Sequence, residues 1–223
     1  MLPRTLEPEV MDTAEEAKDY DAMDHSAVNR KFVDELLAEW SPNRSCRSRI
    51  LDVGTGTAQI PIELARQQPA LQITAIDLAE EMLKLGERNV ASAGLGGVIM
   101  LERIDAKSMP YDDAAFDVVM SNSIVHHIPE PWTVFREMLR VLKPGGLLFV
   151  RDLLRPESTE EIERLVKTYA GDENAHQQQL FRQSFHAALT VEEMRELIGA
   201  AGLRRESVQQ TSDRHWTVCA RVD

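Results

Sequence analysis

The residues most able to do chemistry begin at Ile50-Leu51-Asp52-Val53-Gly54-Thr55-Gly56-Thr57, an apolar strand that runs into two glycines and opens a helix. Glycine at such a turn lets a ligand come up against the backbone. Asp77 stands 21 residues beyond Gly56, at the end of the next apolar run. There a carboxylate can accept both hydrogens of a ribose diol. Loop and acid together read as a nucleoside site, with Asp52 placed to orient the loop rather than to touch the ligand. The same strand, loop and helix also bind dinucleotides or serve as a plain turn, and Asp77 could simply cap the helix that follows it. Gln59 argues against the dinucleotide form, which wants glycine or alanine at that position for close helix–strand packing.

A second group lies at Ser121-Asn122-Ser123-Ile124-Val125-His126-His127-Ile128-Pro129, just past an apolar strand. Ligands of open α/β sheets lie outside the carboxyl ends of the strands, so His126 and His127 are candidates for a general base. Adjacent histidines point in different directions, which leaves packing or helix capping open for at least one. His126, His127 and Glu130 are too compressed for a familiar metal-ligand spacing, and no metal is expected. Further along, Arg151, Asp152, Arg155, Tyr169, His176, Arg182 and His186 form a mixed polar set. Converging arginines would suit a carboxylate or phosphate, and Arg151, Arg182 and His186 are the candidates for binding an acceptor. Ordinary surface charge is the competing reading.

The elements that must position these groups alternate. Val33, Leu36, Leu37 and Trp40 have helical spacing and follow an acidic stretch, 1–25, with little periodicity. Then come a strand at 49–53, a helix at 57–67, a strand at 71–77, a helix at 79–93 and a strand at 98–103. A fourth strand, Phe116–Asn122, leads to a helix through Phe135, Met138, Leu139 and Leu142 that Lys143-Pro144-Gly145-Gly146 should end. A fifth strand at 146–153 follows. Two helices interrupt the alternation, one capped by Ser158-x-x-Glu161 and packed through Ile162, Leu165, Val166 and Tyr169, the other carrying Phe181 and Phe185. A helix capped by Thr190-x-x-Glu193 and strands near 205–210 and 215–221 close the chain, the short link between the strands implying an antiparallel pair.

Such alternation predicts a doubly wound, Rossmann-like α/β sheet of seven strands, mostly parallel with an antiparallel last strand, and helices on both faces. A single domain over 1–223 is expected: an N-terminal helical extension or lid at 1–45, a cofactor-binding core at 46–153, a helical insertion for the acceptor at 154–189, and a closing helix and strand pair at 190–223.

Asp52-x-Gly54-x-Gly56 resembles the acidic glycine loop of class I S-adenosylmethionine-dependent methyltransferases, with Asp77 at the position of their ribose-binding acid. The chain departs from many members at Thr57, where they carry a third glycine; its hydroxyl is expected to cap the helix. Ile104-Asp105-Ala106 is similar to the segment that holds adenine in this family. Phe116-Asp117-Val118-Val119 and Arg140-Val141-Leu142-Lys143-Pro144-Gly145-Gly146 are similar in register. The resemblance implies S-adenosylmethionine as cofactor and S-adenosylhomocysteine as product, held by Asp52, Gly54, Thr55, Gly56, Asp77, Leu78, Asp105, Ala106 and Asn122. Tyr20 joins them, because 19–25 is similar to leading segments that close over the cofactor. Asp105 could equally cap its loop, and the leading segment could be a tail. The stretch 121–129 is similar to ubiquinone/menaquinone-type methyltransferases, which selects His127 over His126.

The formal charge of -12 and the lack of an amino-methylating Asn/Asp-Pro-Pro-aromatic motif after Ser121 argue against a nucleic-acid partner and for a small molecule. Cys46 and Cys219 read as small buried residues of a reducing compartment, and no apolar run suits a membrane span or a signal peptide, so a cytoplasmic location is expected. Monomer and homodimer are equally open. The alternative to an enzyme is a cofactor-binding regulatory protein that has lost transfer.

Overall fold

The computed structural model describes residues 2–8, 13–40 and 48–222. Its sheet has seven strands: β1 (Arg49–Val53), β2 (Gln72–Asp77), β3 (Ile99–Arg103), β4 (Phe116–Asn122), β5 (Leu142–Leu153), β6 (Val208–Gln210) and β7 (His215–Arg221). They are ordered β3-β2-β1-β4-β5-β7-β6. β1 pairs in parallel with β2 and β4, β2 pairs in parallel with β3, and β6 and β7 are antiparallel. This is the doubly wound sheet that the alternation predicts. The chain divides into two compact units, one of residues 13–40, 48–122, 133–149 and 221–222, the other of 2–8, 123–132 and 150–220.

The first unit holds β1 to β4 with α1 (Ala14–Ala22), α2 (Ser26–Glu39), α3 (Gln59–Gln67), α4 (Glu80–Ser92) and most of α5 (Pro131–Val141). Its strands are apolar almost throughout because parallel strands are covered on both faces; Ile50, Leu51, Val53, Ile76, Phe116, Val118 and Met120 are all but sealed from solvent. α1 is a helix that periodicity missed. Thr13 and Glu16 make a full capping box at its start, and only Ala17 of its residues is buried, too few to show a stripe.

Two expectations need correction here. Thr57 does not cap α3: the N-cap is Ala58, in a left-handed conformation (φ 64°) and without a side-chain bond. Helix α5 does end just before 143–146, at Val141, but the fifth strand starts at Leu142 rather than at Gly146. Gly145 N–H donates to the carbonyl of Val222 and Val222 N–H donates to that of Gly146. Pairing with the chain's last residues overrides the local turn signal.

The second unit contains η1 (Val125–His127, a 3-10 turn), α6 (Thr159–Tyr169), α7 (Ala175–Ala187), α8 (Val191–Ala200), η2 (Arg205–Ser207), β6 and most of β7. Ile162, Leu165, Val166 and Phe185 form one cluster with Leu153 and Ala188. Trp216 is fully buried. Tyr169, expected in that packed face, is instead 43% exposed and donates its hydroxyl to Asp213. Cys219 is half-buried rather than buried, and Cys46 lies outside the described residues. Among the described residues, no helix is long and apolar enough to cross a membrane.

Candidate functional site

The carboxyl ends of β1, β2 and β4 lie side by side, with Val53 opposite both Ile76 and Ser121. Strand order reverses at β1, where parallel sheets leave a crevice. Gly54 and Gly56 adopt left-handed conformations (φ 75° and 54°) that an L side chain resists. The N–H groups of Gly54 and Thr55 both donate to the carbonyl of Ile76, and that of Gly56 donates to Asp77 Oδ2 at 2.7 Å. The other oxygen of Asp77 accepts from Ala79 N–H at 2.9 Å. Asp77 thus ties the glycine loop to the turn that opens α4.

Tyr20 lies over this loop: a Cβ built on Gly56 would meet its ring edge at 3.7 Å. A polar clasp holds α1 there. Asp21 accepts from Asn89 at 2.8 Å and from Gln59 at 3.3 Å, while Gln59 accepts from Asn29 at 3.2 Å. Gln59, which sequence reasoning used only to exclude a dinucleotide, has this structural task.

The loop is strongly acidic. Burial pushes the Asp52 carboxyl up to about 7, with the charge of Asp77 adding to the effect. Burial, then Asp77, Asp52 and Asp21, raise the Tyr20 phenol to about 12, although 37% of the residue remains exposed. Asn122 ends β4 half-buried. Leu78 is half-buried and its carbonyl accepts from Arg103, and Asp105 accepts from Lys107 N–H at 2.9 Å, a loop cap that leaves its second oxygen for a ligand, with Ala106 half-buried beside it.

In the second unit the two histidines separate clearly. His126 is 4% exposed; its Nδ1 meets Asp152 Oδ1 at 2.5 Å and its Nε2 lies 3.5 Å from Glu7 Oε1. Burial alone would lower its pKa, but the carboxylates of Asp152 and Glu7 outweigh it and the pKa is raised. Asp152 moves the other way: burial works against its charge, His126 and Leu153 N–H favour it, and the net pKa is lowered. Both shifts describe one buried ion pair. Carboxylates thus face both ring nitrogens of His126, which is less accessible to a substrate than His127. His127 keeps 18% of its side chain exposed, with Nδ1 3.0 Å from Glu7 Oε1.

Glu7 and Arg4 are the residues that sequence reasoning missed. Arg4 donates to the carbonyls of Ala187, Pro129, His126 and Ile128, fastening residues 2–8 over η1. The proposed acceptor residues are mostly engaged elsewhere. Arg151 is buried and donates to Thr217 at 3.0 Å, and Arg182 holds Glu163 through two bonds of 2.7 and 2.9 Å. Anion recognition by Arg182 would require that fork to open. His186, half-buried in α7, accepts from Thr5 N–H through its carbonyl.

Comparison with known proteins agrees with this geometry. A family model described as a methyltransferase domain matches residues 51–150. The chain is 31% identical, over 74% of its length and 57% of the relative's, to a 27-O-demethylrifamycin SV methyltransferase of Amycolatopsis mediterranei. It is 36% identical, over 49% of its length and 43% of the relative's, to a ubiquinone/menaquinone biosynthesis C-methyltransferase of Geobacter sulfurreducens. The chain thus spans about half the length of the curated relatives it matches. In fold it resembles an S-adenosylmethionine-dependent methyltransferase from Aquifex aeolicus (TM-score 0.70, 20% identity, 96% and 100% of the two chains). It also resembles the [4+2]-cyclase SpnF (TM-score 0.63, 19% identity, 100% and 99%). With the glycine loop, the Asp77 anchor and the sheet order on one chain, residues 51–150 form a methyltransferase domain similar to those of class I S-adenosylmethionine-dependent methyltransferases.

Proposed function

We propose that the chain transfers the methyl group of S-adenosylmethionine to a small-molecule acceptor. The observation that carries this reading is the charge at the glycine loop. A dinucleotide would bring a pyrophosphate there, against Asp52, Asp77 and Asp21. S-adenosylmethionine brings a sulfonium and an ammonium, for which the same carboxylates are favourable partners. The donor set fits the cofactor: Asp77 for the ribose hydroxyls, the backbone of 54–56 and Asp52 for the amino-acid end, Asp105 with Ala106 for adenine, and Leu78, Asn122 and Tyr20 as walls.

When bound, the cofactor supplies an electrophilic methyl, so the protein needs to orient its nucleophile and exclude water rather than add chemistry of its own. Tyr20 does the second by covering Gly56. Of the adjacent pair, His127 is the more open to an acceptor, with 18% of its side chain exposed against 4% for His126. The relatives' names refer to a rifamycin and to ubiquinone and menaquinone biosynthesis, and we place the acceptor in the same broad class of small organic molecules. Fold alone would not decide the reaction, since a cyclase shares it.

Calorimetric titration with S-adenosylmethionine and S-adenosylhomocysteine, with NAD as control, tests the cofactor. Micromolar binding of the sulfur nucleosides and none of NAD is expected; the converse would end the proposal. Asp77→Ala should weaken cofactor binding by about 1–3 kcal/mol through loss of charge-assisted bonds. It should also lower the melting temperature, because two backbone N–H groups lose their acceptor. His127→Ala should reduce turnover in an acceptor screen while cofactor affinity stays unchanged. Equal turnover in the variant would remove His127 from the reaction.

A further inference from the structure

Three side chains from the N-terminal segment and the middle of the chain meet in the second unit: Glu7, His126 and His127 each offer one ligand atom, and these atoms all lie within 4.8 Å of one another. The third donor comes from the N-terminal segment, not from Glu130. We propose that Glu7 Oε1, His126 Nε2 and His127 Nδ1 form a site for one divalent transition-metal ion of the zinc class, with a further coordination position open.

The geometry is close to what an ion needs. Tetrahedral zinc bonds of about 2.0–2.1 Å place neighbouring donors roughly 3.3 Å apart. Glu7 Oε1 stands 3.5 Å from His126 Nε2 and 3.0 Å from His127 Nδ1. The site is enclosed, with side-chain exposures of 7% for Glu7 and 4% for His126. Glu7 Oε1 and His127 Nδ1 are both buried and neither has a hydrogen-bond partner among the described residues. They stand 3.0 Å apart without the alignment of a hydrogen bond, which leaves both free to serve an ion. An unsatisfied buried carboxylate oxygen is costly, and a cation between the two atoms removes that cost.

The surroundings are those of a supported site. Asp152 holds His126 Nδ1, the carboxylate–histidine arrangement that orients an imidazole and directs its other nitrogen at a metal. Ser184 donates to Glu7 Oε2 at 3.2 Å, and Arg4 pins the segment that carries Glu7. Two imidazoles and a carboxylate are a borderline-hard set, suited to zinc, cobalt or iron(II) rather than to magnesium or calcium. Glu7 and Asp152 together balance a divalent charge. Ion binding does not rest on the methyl-transfer reading; if both hold, His127 acts on the acceptor through the ion rather than as a free base.

The test uses the full chain stripped by chelator and titrated with zinc by calorimetry and with cobalt by visible absorption, without S-adenosylmethionine. One equivalent should bind with micromolar or tighter affinity and raise the melting temperature. Glu7→Gln and His127→Ala should each weaken binding roughly tenfold or more, whereas His176→Ala, an exposed histidine elsewhere on α7, should leave it unchanged. Circular dichroism of the metal-free variants checks folding, and His127→Gln carries the test if Glu7→Gln does not fold. Weak binding of several equivalents, or a single equivalent indifferent to Glu7 and His127, would overturn the site.

Discussion

Asp152→Ala should destabilise the metal-free protein by about 3–5 kcal/mol, the usual result of removing one partner from a buried ion pair. Asp152 is fully buried, and its two oxygens accept from the N–H groups of Val125, His126 and Leu153 as well as from His126 Nδ1. No water can replace so many bonds without opening the turn that carries the histidines. Urea melts give the magnitude. The double variant with His126→Ala should lose less than the sum of the two single losses, since it leaves no orphaned charge. A single-variant loss below about 1 kcal/mol would mean that the pair is not ionised as described.

The same pair fixes a pH window. Asp152 has a lowered folded pKa, so its contribution is complete above its ordinary value of 3.8 and is lost as pH falls through the folded value. His126 has a raised folded pKa, so its contribution is complete below 6.5 and is lost as pH rises through the folded value. The gap in stability between wild type and Asp152→Ala should therefore be widest between these two ordinary values and narrow on either side.

How much of this was legible in the sequence depended on whether the controlling contacts were local. β1 and β4 have the bounds read from their apolar runs, because a buried parallel strand shows as a continuous stretch closed by polar or glycine residues. The Thr190–Glu193 capping box is fully formed, being a bond within one turn. The Thr13–Glu16 box gave the same local signal for α1, and the absence of a hydrophobic stripe hid it. The start of β5 was not legible, since Val222 decides it from the far end of the chain. The glycine loop was visible as a motif, but its acidity arises only when folding brings Asp21 and Asp77 to Asp52 and Tyr20. Glu7 lay beyond any spacing argument: its partners are more than a hundred residues away, and only Arg4's hold on four carbonyls brings it to them.

Asp52 should give the largest pH effect on stability outside that pair. Its carboxyl is raised from 3.8 to about 7 by burial at the end of β1. A raised acid is more easily ionised in the unfolded chain, so its favourable difference is complete below pH 3.8 and is lost as pH climbs through the folded value. The shift corresponds to about 4 kcal/mol at 1.36 kcal/mol per unit. Asp52→Asn keeps the size and removes the titration. The variant should match the wild type near pH 4 and exceed it by up to about 4 kcal/mol near pH 8, read from urea melts across the range. Cofactor binding should show the opposite preference. A ligand bearing a sulfonium and an ammonium favours the ionised carboxylate, so binding below about pH 7 should expel a proton and affinity should rise with pH up to that point. Calorimetry in buffers of different ionisation enthalpy counts the proton directly. Asp52→Asn should bind more weakly and release none. Proton release equal to that of the wild type would show that Asp52 does not feel the ligand's charge and serves only to shape the loop.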